Sequence, residues 1–540
     1  MFPCSACPVL VQFLRDGAGR SRTVQMFTFS KPEDHFTGKT FYLLKKDRIA
    51  FIFMYIQFLA IMRFPMDIDQ RYQKAVKNLS AVGQSHLLAF YDRLSDLEKQ
   101  KLLGQIERLD FSQIPLWVEK YVKNSQSICV PDIYEPAPAY PPNPKGPAQQ
   151  EKYESARKLG VELLSAGKVA AFVVAGGQGT RLGFDGPKGN FPISPIKNKT
   201  LFQIFAEMIL SAGEKYGAKL CWYIMTSPQN HNATVEIFDS NNYYGLSKTD
   251  VFIFEQGTLP NFSFEGKILL ANKATIATSP DGHGGSLKAL YNSGALSAMK
   301  SRGIEYISYW QVDNPLVNIF DPLFIGLHAL DDAEMSAKAL VKSGPTEKVG
   351  NLCLADGKVT VIEYSDLPDE QARKRNPDGS LLLELGSIGI HIINAAFVEK
   401  LNKDGFALPI HRAVKKIPHI NTNANAVRPA EPNGLKLETF VFDALPLASK
   451  SVILKTIRSE EFAPVKNAGG ENSPDVTRKM MIGRAAGWLE SADVSIPRKP
   501  DGSPDCIIEI APGFALSAEQ VKAKKGRIPP IRTGDKVYLE

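Results

Sequence analysis

Cysteine is scarce, with six in 540 residues, at positions 4, 7, 129, 221, 353 and 506. Apart from Cys4 and Cys7 they are widely scattered, which argues against a disulfide framework and for an enzyme with reduced thiols, expected in the cytoplasm. Cys4 and Cys7 make a lone CxxC without a second pair or a histidine cluster, so a zinc site is not expected there. Membrane-spanning runs are lacking too. The apolar stretch 49–62 has 14 residues and is interrupted by Gln57, short of the roughly 20 that a spanning helix needs. The main body also lacks an excess of one charge. Of the net +7, most falls in residues 1–65, which carry nine Lys/Arg against four Asp/Glu. A nearly neutral remainder gives a nucleic-acid partner no electrostatic footing. Internal repeats and low-complexity tracts are absent.

What is present is length enough for roughly three to four domains. Residues 1–65 differ from the rest of the chain, and three readings compete for them: a signal anchor, a buried helix, or upstream sequence outside the functional protein. The third is preferred, because Met66 opens a segment with its own helical spacing. A helical domain and a proline-rich crossing are expected over 66–165, a catalytic domain over 166–445, and a small mixed C-terminal domain containing β-structure over 446–540. Within the second, helix is expected at 200–212 and 287–299, and strand at 169–174, 220–226, 251–255 and 306–312. That alternation predicts a doubly wound, largely parallel α/β sheet with its ligands at the carboxyl ends of the strands.

The chain is organised around 168–188, KVAAFVVAGGQGTRLGFDGPK. An apolar strand ends at Val174 and Ala175 and breaks into Gly176, Gly177, Gly179 and Gly183, with Arg181 and Lys188 beside them. Glycine lets backbone N–H groups close on an anion, and the two cations add fixed charge, so this is a phosphate site. It is neither common fingerprint. The dinucleotide pattern fails at Leu182, and a P-loop would follow Gly-Lys with Ser or Thr, where this chain has Pro187-Lys188-Gly189.

Further motifs lie downstream. Phe254-Glu255-Gln256-Gly257 closes a strand, and Pro280-Asp281-Gly282-His283-Gly284-Gly285 is a second glycine loop. Gln311-Val312-Asp313-Asn314-Pro315 ends another strand in an aspartate, which is either a helix cap or a hard ligand for Mg²⁺. Gly350 precedes a strand that ends in Glu363-Tyr364, Lys436 lies in Pro432-Asn433-Gly434-Leu435-Lys436, and Lys466 in Phe462-Ala463-Pro464-Val465-Lys466. Read singly, each has a bland alternative: a turn, a cap, a solvated carboxylate or a surface lysine.

Together these motifs resemble the UDP-sugar pyrophosphorylase family, especially its UDP-N-acetylglucosamine branch, from about residue 67 to near the C-terminus. The resemblance implies a Rossmann-like, GT-A-like nucleotidyltransferase domain that transfers uridylyl from UTP to a sugar 1-phosphate with Mg²⁺. It implies Val174, Ala175, Gly176, Gly177, Gln256, Gly282 and Lys436 at the nucleotide, with the Gln256 amide on the uracil edge. Arg181, Lys188 and Lys466 are implied as the catalytic cations and Asp313 as the metal ligand, with Asp443 a second candidate that could equally cap a helix. Gly350, Glu363, Tyr364, His283 and Ser387 are implied at the sugar. Three positions depart from the eukaryotic N-acetylglucosamine enzymes, which carry asparagines where this chain has His283, Ser387 and Ile390, and the pattern is closer to a bacterial-like branch. N-acetylglucosamine 1-phosphate is the first choice of substrate, with glucose 1-phosphate, a broader UDP-sugar activity or a silent nucleotide-sugar-binding protein as alternatives.

Overall fold

A computed structural model describes residues 67–124 and 130–540 in full, and three earlier strands by their backbone. The chain divides into two compact units, 1–77 and 78–540. In the first, Val9–Arg15, Arg22–Thr28 and Gly38–Tyr42 form an antiparallel meander. The apolar stretch 49–62 and the CxxC lie outside the described residues. Among the described residues, no helix is long and apolar enough to cross a membrane.

The second unit is built on a mixed ten-stranded sheet. Val169–Val174 is fully apolar because both of its faces are covered, as a parallel strand between helical layers requires. It pairs in parallel with Trp222–Thr226 on one side, and that strand in turn with Val251–Glu255. The chain then crosses back, so Tyr306–Gln311 pairs in parallel on the other side of the same strand. The end of Val169–Val174 is therefore the point where the winding reverses, and a crevice opens there. Beyond Tyr306–Gln311 the sheet continues in antiparallel fashion through Leu385–Asn394, which pairs with both Met335–Val341 and Gly350–Ala355. The expected doubly wound core is present, with this extension added to one edge.

The helices flanking the sheet include Pro147–Ser165 and Leu201–Tyr216, the latter capped by Thr200 and ended by Gly217 in the left-handed region. The single helix expected over 287–299 is two, Gly285–Asn292 and Ala295–Ser301. Gly294 between them adopts a φ of +83°, which an α-helix cannot continue through. Among the N-terminal helical elements, Gln84 and Gln105 dock on the strands that come after Gln256, meeting the backbone of Gly266, Ile268 and Ile276. Past residue 445 the chain adds Ile453–Lys455 to the central sheet, in parallel with Met335–Val341. A separate apolar core then forms around Pro474–Ser491 and the parallel pair Ile507–Ile510 and Lys536–Leu539.

Candidate active site

The first glycine loop leaves its strand at the reversal point and is held from beneath by Asn230. That side chain is buried, and its Nδ2 donates to the carbonyl of Ala175 at 2.9 Å and of Gly177 at 3.2 Å. Its Oδ1 accepts from the Ser227 N–H at 2.8 Å. With two carbonyls turned inward onto Asn230, the intervening backbone is fixed with little freedom to reorganise, as an anion cradle needs to be. Gly177 is exposed, and Lys188 folds over it, its own N–H donating to the Gly177 carbonyl at 3.0 Å.

Asp313 follows the neighbouring strand into the same crevice. Its carboxylate is buried, 3.9 Å from Lys188 Nζ and 3.7 Å from Lys466 Nζ. Both ammonium groups stand beyond ordinary hydrogen-bonding distance, so the three charges face one another across a gap. Burial alone would raise the Asp313 carboxyl, but Lys188 and Lys466 more than offset it and hold the group below the usual range. Burial pulls the Lys188 ammonium down, with Lys466 and Arg181 adding to the effect and Asp313 opposing it. Lys466 comes from a distant part of the chain and is fastened here by Asn314. The Asn314 Nδ2 donates to the Glu461 carbonyl at 2.7 Å, its Oδ1 accepts from the Ala463 N–H at 3.1 Å, and Val465 N–H donates to the Asp313 carbonyl at 2.8 Å.

From this floor a cavity of about 480 Å³ extends over the antiparallel edge of the sheet. It brings together Arg181, His283, Asp313, Gly350, Glu363, Tyr364, Ser387 and Lys466, which the sequence places as much as 285 positions apart. Glu363 Oε2 passes close to Gly350, where an added methyl would stand 3.3 Å from it. Burial, with Asp366 nearby, pushes the Glu363 carboxyl up to about 7, against His411 and Lys466. His283 stacks on Phe440 with ring centroids 5.1 Å apart. Its Nδ1 accepts the Val441 N–H at 3.1 Å, so the neutral ring carries its proton on Nε2. Burial drives the His283 imidazole down to about 3.

Two predicted residues lie apart from this constellation. Asp443 lines a neighbouring cavity, where its Oδ2 accepts from His411 Nε2 at 2.7 Å. Lys436 lines a third cavity with Gln229, Ser279 and Pro280, beside rather than within the main one. Gln256 lies at the glycine loops, where a methyl on Gly176 would stand 2.5 Å from its Oε1. Gly282 has a φ of +86°, and a methyl there would strike the Thr439 carbonyl at 2.3 Å, so the second loop tolerates only glycine at this position. Sequence reading missed Asn230, Asn314 and Arg458. Asn314 adjoins Asp313 in its motif and Asn230 comes shortly after a strand end, which were available signals. Arg458 lines the cavity paired with Glu347, 111 residues earlier, at 2.6 Å.

A model of the family described as UTP–glucose-1-phosphate uridylyltransferase matches residues 132–510. The chain is 35% identical over 483 residues to the human protein named UDP-N-acetylhexosamine pyrophosphorylase-like protein 1, covering 84% of this chain and 93% of that protein. It is 33% identical over 463 residues to the UDP-N-acetylglucosamine pyrophosphorylase of Saccharomyces cerevisiae, covering 83% and 96% respectively. Among solved structures, the uridine diphosphate N-acetylglucosamine pyrophosphorylase of Trypanosoma brucei is similar, with a TM-score of 0.73 and 25% identity over 87% of this chain and 98% of that one.

Proposed function

The chain belongs to the UTP–glucose-1-phosphate uridylyltransferase family, and from that premise we propose that it joins UTP and N-acetylglucosamine 1-phosphate into UDP-N-acetylglucosamine, releasing pyrophosphate. The observation that carries this reading is the meeting of the pinned glycine loop with Lys188, Asp313 and Lys466 at the point where the sheet reverses. A phosphate oxygen of the sugar 1-phosphate attacks the α-phosphorus of UTP, and the bond from that phosphorus to the β-phosphate oxygen breaks. The nucleophile is already an anion, so no general base is required. The protein's task is to align two polyanions and neutralise charge as it moves to the leaving pyrophosphate.

The residues divide that task by position. Arg181 and Lys188 hold the β- and γ-phosphates, and Lys466, opposite Lys188 across Asp313, stabilises the five-coordinate phosphorus and the incoming phosphate. The glycine loops with Gln256 receive the uridine. Glu363, His283, Gly350, Tyr364 and Ser387 surround the sugar. Asp313 suits a divalent cation, since it is a hard carboxylate kept ionised in a buried crevice open to the cavity. Among the described residues no group of three or more His, Cys, Asp or Glu forms a ready-made metal cage, so Mg²⁺ would be completed by phosphate oxygens and water. When bound, Mg²⁺ supplies further neutralisation of the phosphates. Asp443, hydrogen-bonded to His411, is the second candidate ligand.

The test is pyrophosphate release from UTP and Mg²⁺ with a panel of sugar 1-phosphates. Release with the N-acetylated sugars supports the reading, release with glucose 1-phosphate alone replaces the substrate, and no release with any of them overturns it.

A further inference from the structure

Asp281 carries no task in that mechanism, yet the fold builds a niche for it. The residue is 7% exposed. Its backbone N–H donates to the Gly257 carbonyl at 3.2 Å, and its carbonyl accepts from Thr439 through both the N–H at 2.8 Å and the hydroxyl at 2.9 Å. Two glycines make room for the carboxylate. A methyl on Gly257 would stand 2.4 Å from Oδ2, and one on Gly285 2.0 Å from Oδ1. Into this niche Gln256 Nε2 donates, at 3.1 Å to Asp281 Oδ1, with the Gly282 carbonyl at 3.4 Å.

A carboxylate only accepts hydrogen bonds, so it dictates which end of the amide faces it. The Gln256 nitrogen is turned toward Asp281 and the carbonyl oxygen toward Gly176. No donor among the described residues meets that oxygen, and it lies beside the half-buried Gly176 of the first glycine loop. A fixed acceptor there distinguishes the pyrimidines. Uracil presents an N3–H to it, whereas cytosine presents the N3 lone pair, and two acceptors repel.

We propose that Asp281 sets the choice of nucleobase as a positioning residue, holding the Gln256 carbonyl oxygen toward the base so that uracil is admitted and cytosine refused. This rests on the proposed uridylyl transfer, in which Gln256 faces the base. The carboxylate itself touches no substrate.

The experiment uses the full chain with N-acetylglucosamine 1-phosphate and Mg²⁺, and compares UTP, CTP and N3-methyl-UTP. UTP should turn over, while CTP and N3-methyl-UTP should each be poorer by about 10² or more, as for a site whose buried polar group is left unmatched. Turnover of none of the three overturns the uridylyl-transfer reading. Turnover of UTP with CTP or N3-methyl-UTP equally good leaves that reading standing and overturns the role of Asp281. In Asp281→Asn, whose amide can present either end to Gln256, the UTP-to-CTP ratio of kcat/KM should fall by about tenfold or more. An unchanged ratio in a variant with an intact melting transition overturns the proposal. In a Gln256→Ala background, Asp281→Asn should leave the ratio where Gln256→Ala set it, and a further change there would show that Asp281 acts by another route. The N3-methyl-UTP comparison requires no variant and decides the matter if Asp281→Asn does not fold.

Discussion

At the end of the site that the proposed function gives to phosphate, the working groups are the glycine-loop backbone and lysines, with the loop and the Lys466 segment each fastened by the amide of another residue. At the end given to the sugar they are side chains whose ionisation burial has shifted toward the neutral form. Asn230 secures the first glycine loop and Asn314 secures the Lys466 segment to the Asp313 turn. Glu363 and His283, by contrast, stand in a cavity wall with their ionisation shifted toward the neutral form. The difference follows the ligands. A polyanion is held by fixed positive charge and preorganised dipoles, whereas a hexose needs directional donors and acceptors that carry little net charge.

Removing charge from the phosphate end should therefore have the largest effect. Lys188→Ala is expected to lower kcat by roughly 10² to 10³, the usual loss for one preorganised group at a charge-developing centre. Near-normal turnover with an unchanged KM would remove Lys188 from the mechanism. Asn314→Ala should come next. It leaves two buried backbone partners unmet, at about 1–3 kcal/mol of stability, and lets Lys466 drift from Asp313. The expected kinetic sign is a fall in kcat of about tenfold with little change in KM for UTP. Should KM alone respond, Asn314 belongs to binding rather than to alignment. Asn230→Ala sharpens the distinction from the other side, since it loosens the cradle. KM for UTP should rise about tenfold or less while KM for the sugar 1-phosphate stays put.

Much of the phosphate end was legible in the sequence, for a physical reason. A strand that breaks into glycines and is followed by Arg181 and Lys188 can be recognised from adjacent residues alone, and the strand at Val169–Val174 has the expected limits. Asp313 was legible because it comes two residues after the end of its strand. The residues that hold these groups were harder to see. Asn230 acts on a loop 53 residues away and Asn314 on a segment 147 residues away, and no local pattern encodes such a pairing. The sugar end was legible only as a set of separate motifs. That Glu363 and His283 share a cavity, and that His411 occupies Asp443, depends on the antiparallel edge of the sheet. The break at Gly294 was missed because apolar spacing continues across it.

The neutral character of the sugar end gives a pH test with a definite sign. The folded Glu363 carboxyl titrates near 7 against a reference of 4.5. Its neutral form therefore stabilises the fold below the reference value, and that contribution is lost as pH rises through about 7. Glu363→Gln should melt above the native chain at about pH 8, with the difference vanishing near about pH 5. Activity should move the opposite way, because the ionised carboxylate is the better acceptor for sugar hydroxyls. A variant that loses stability at the higher pH would show that Glu363 is not held neutral by its surroundings.

His283 should show the smallest effect, and its interest lies in where the effect falls. With Nδ1 accepting from Val441 N–H and the imidazole driven down to about 3, Nε2–H remains a donor across the working pH range. His283→Asn introduces the asparagine that the family resemblance implies for this loop, keeping a donor but losing the stack on Phe440. KM for the sugar 1-phosphate should change about threefold in either direction, within the range expected for exchanging one neutral hydrogen bond for another. KM for UTP should not change, and the native chain should show no titration from this group between about pH 6 and 9. If KM for UTP moves instead, His283 belongs to the nucleotide side of the second glycine loop, and the boundary between the two ends of the site runs through Phe440 rather than before it.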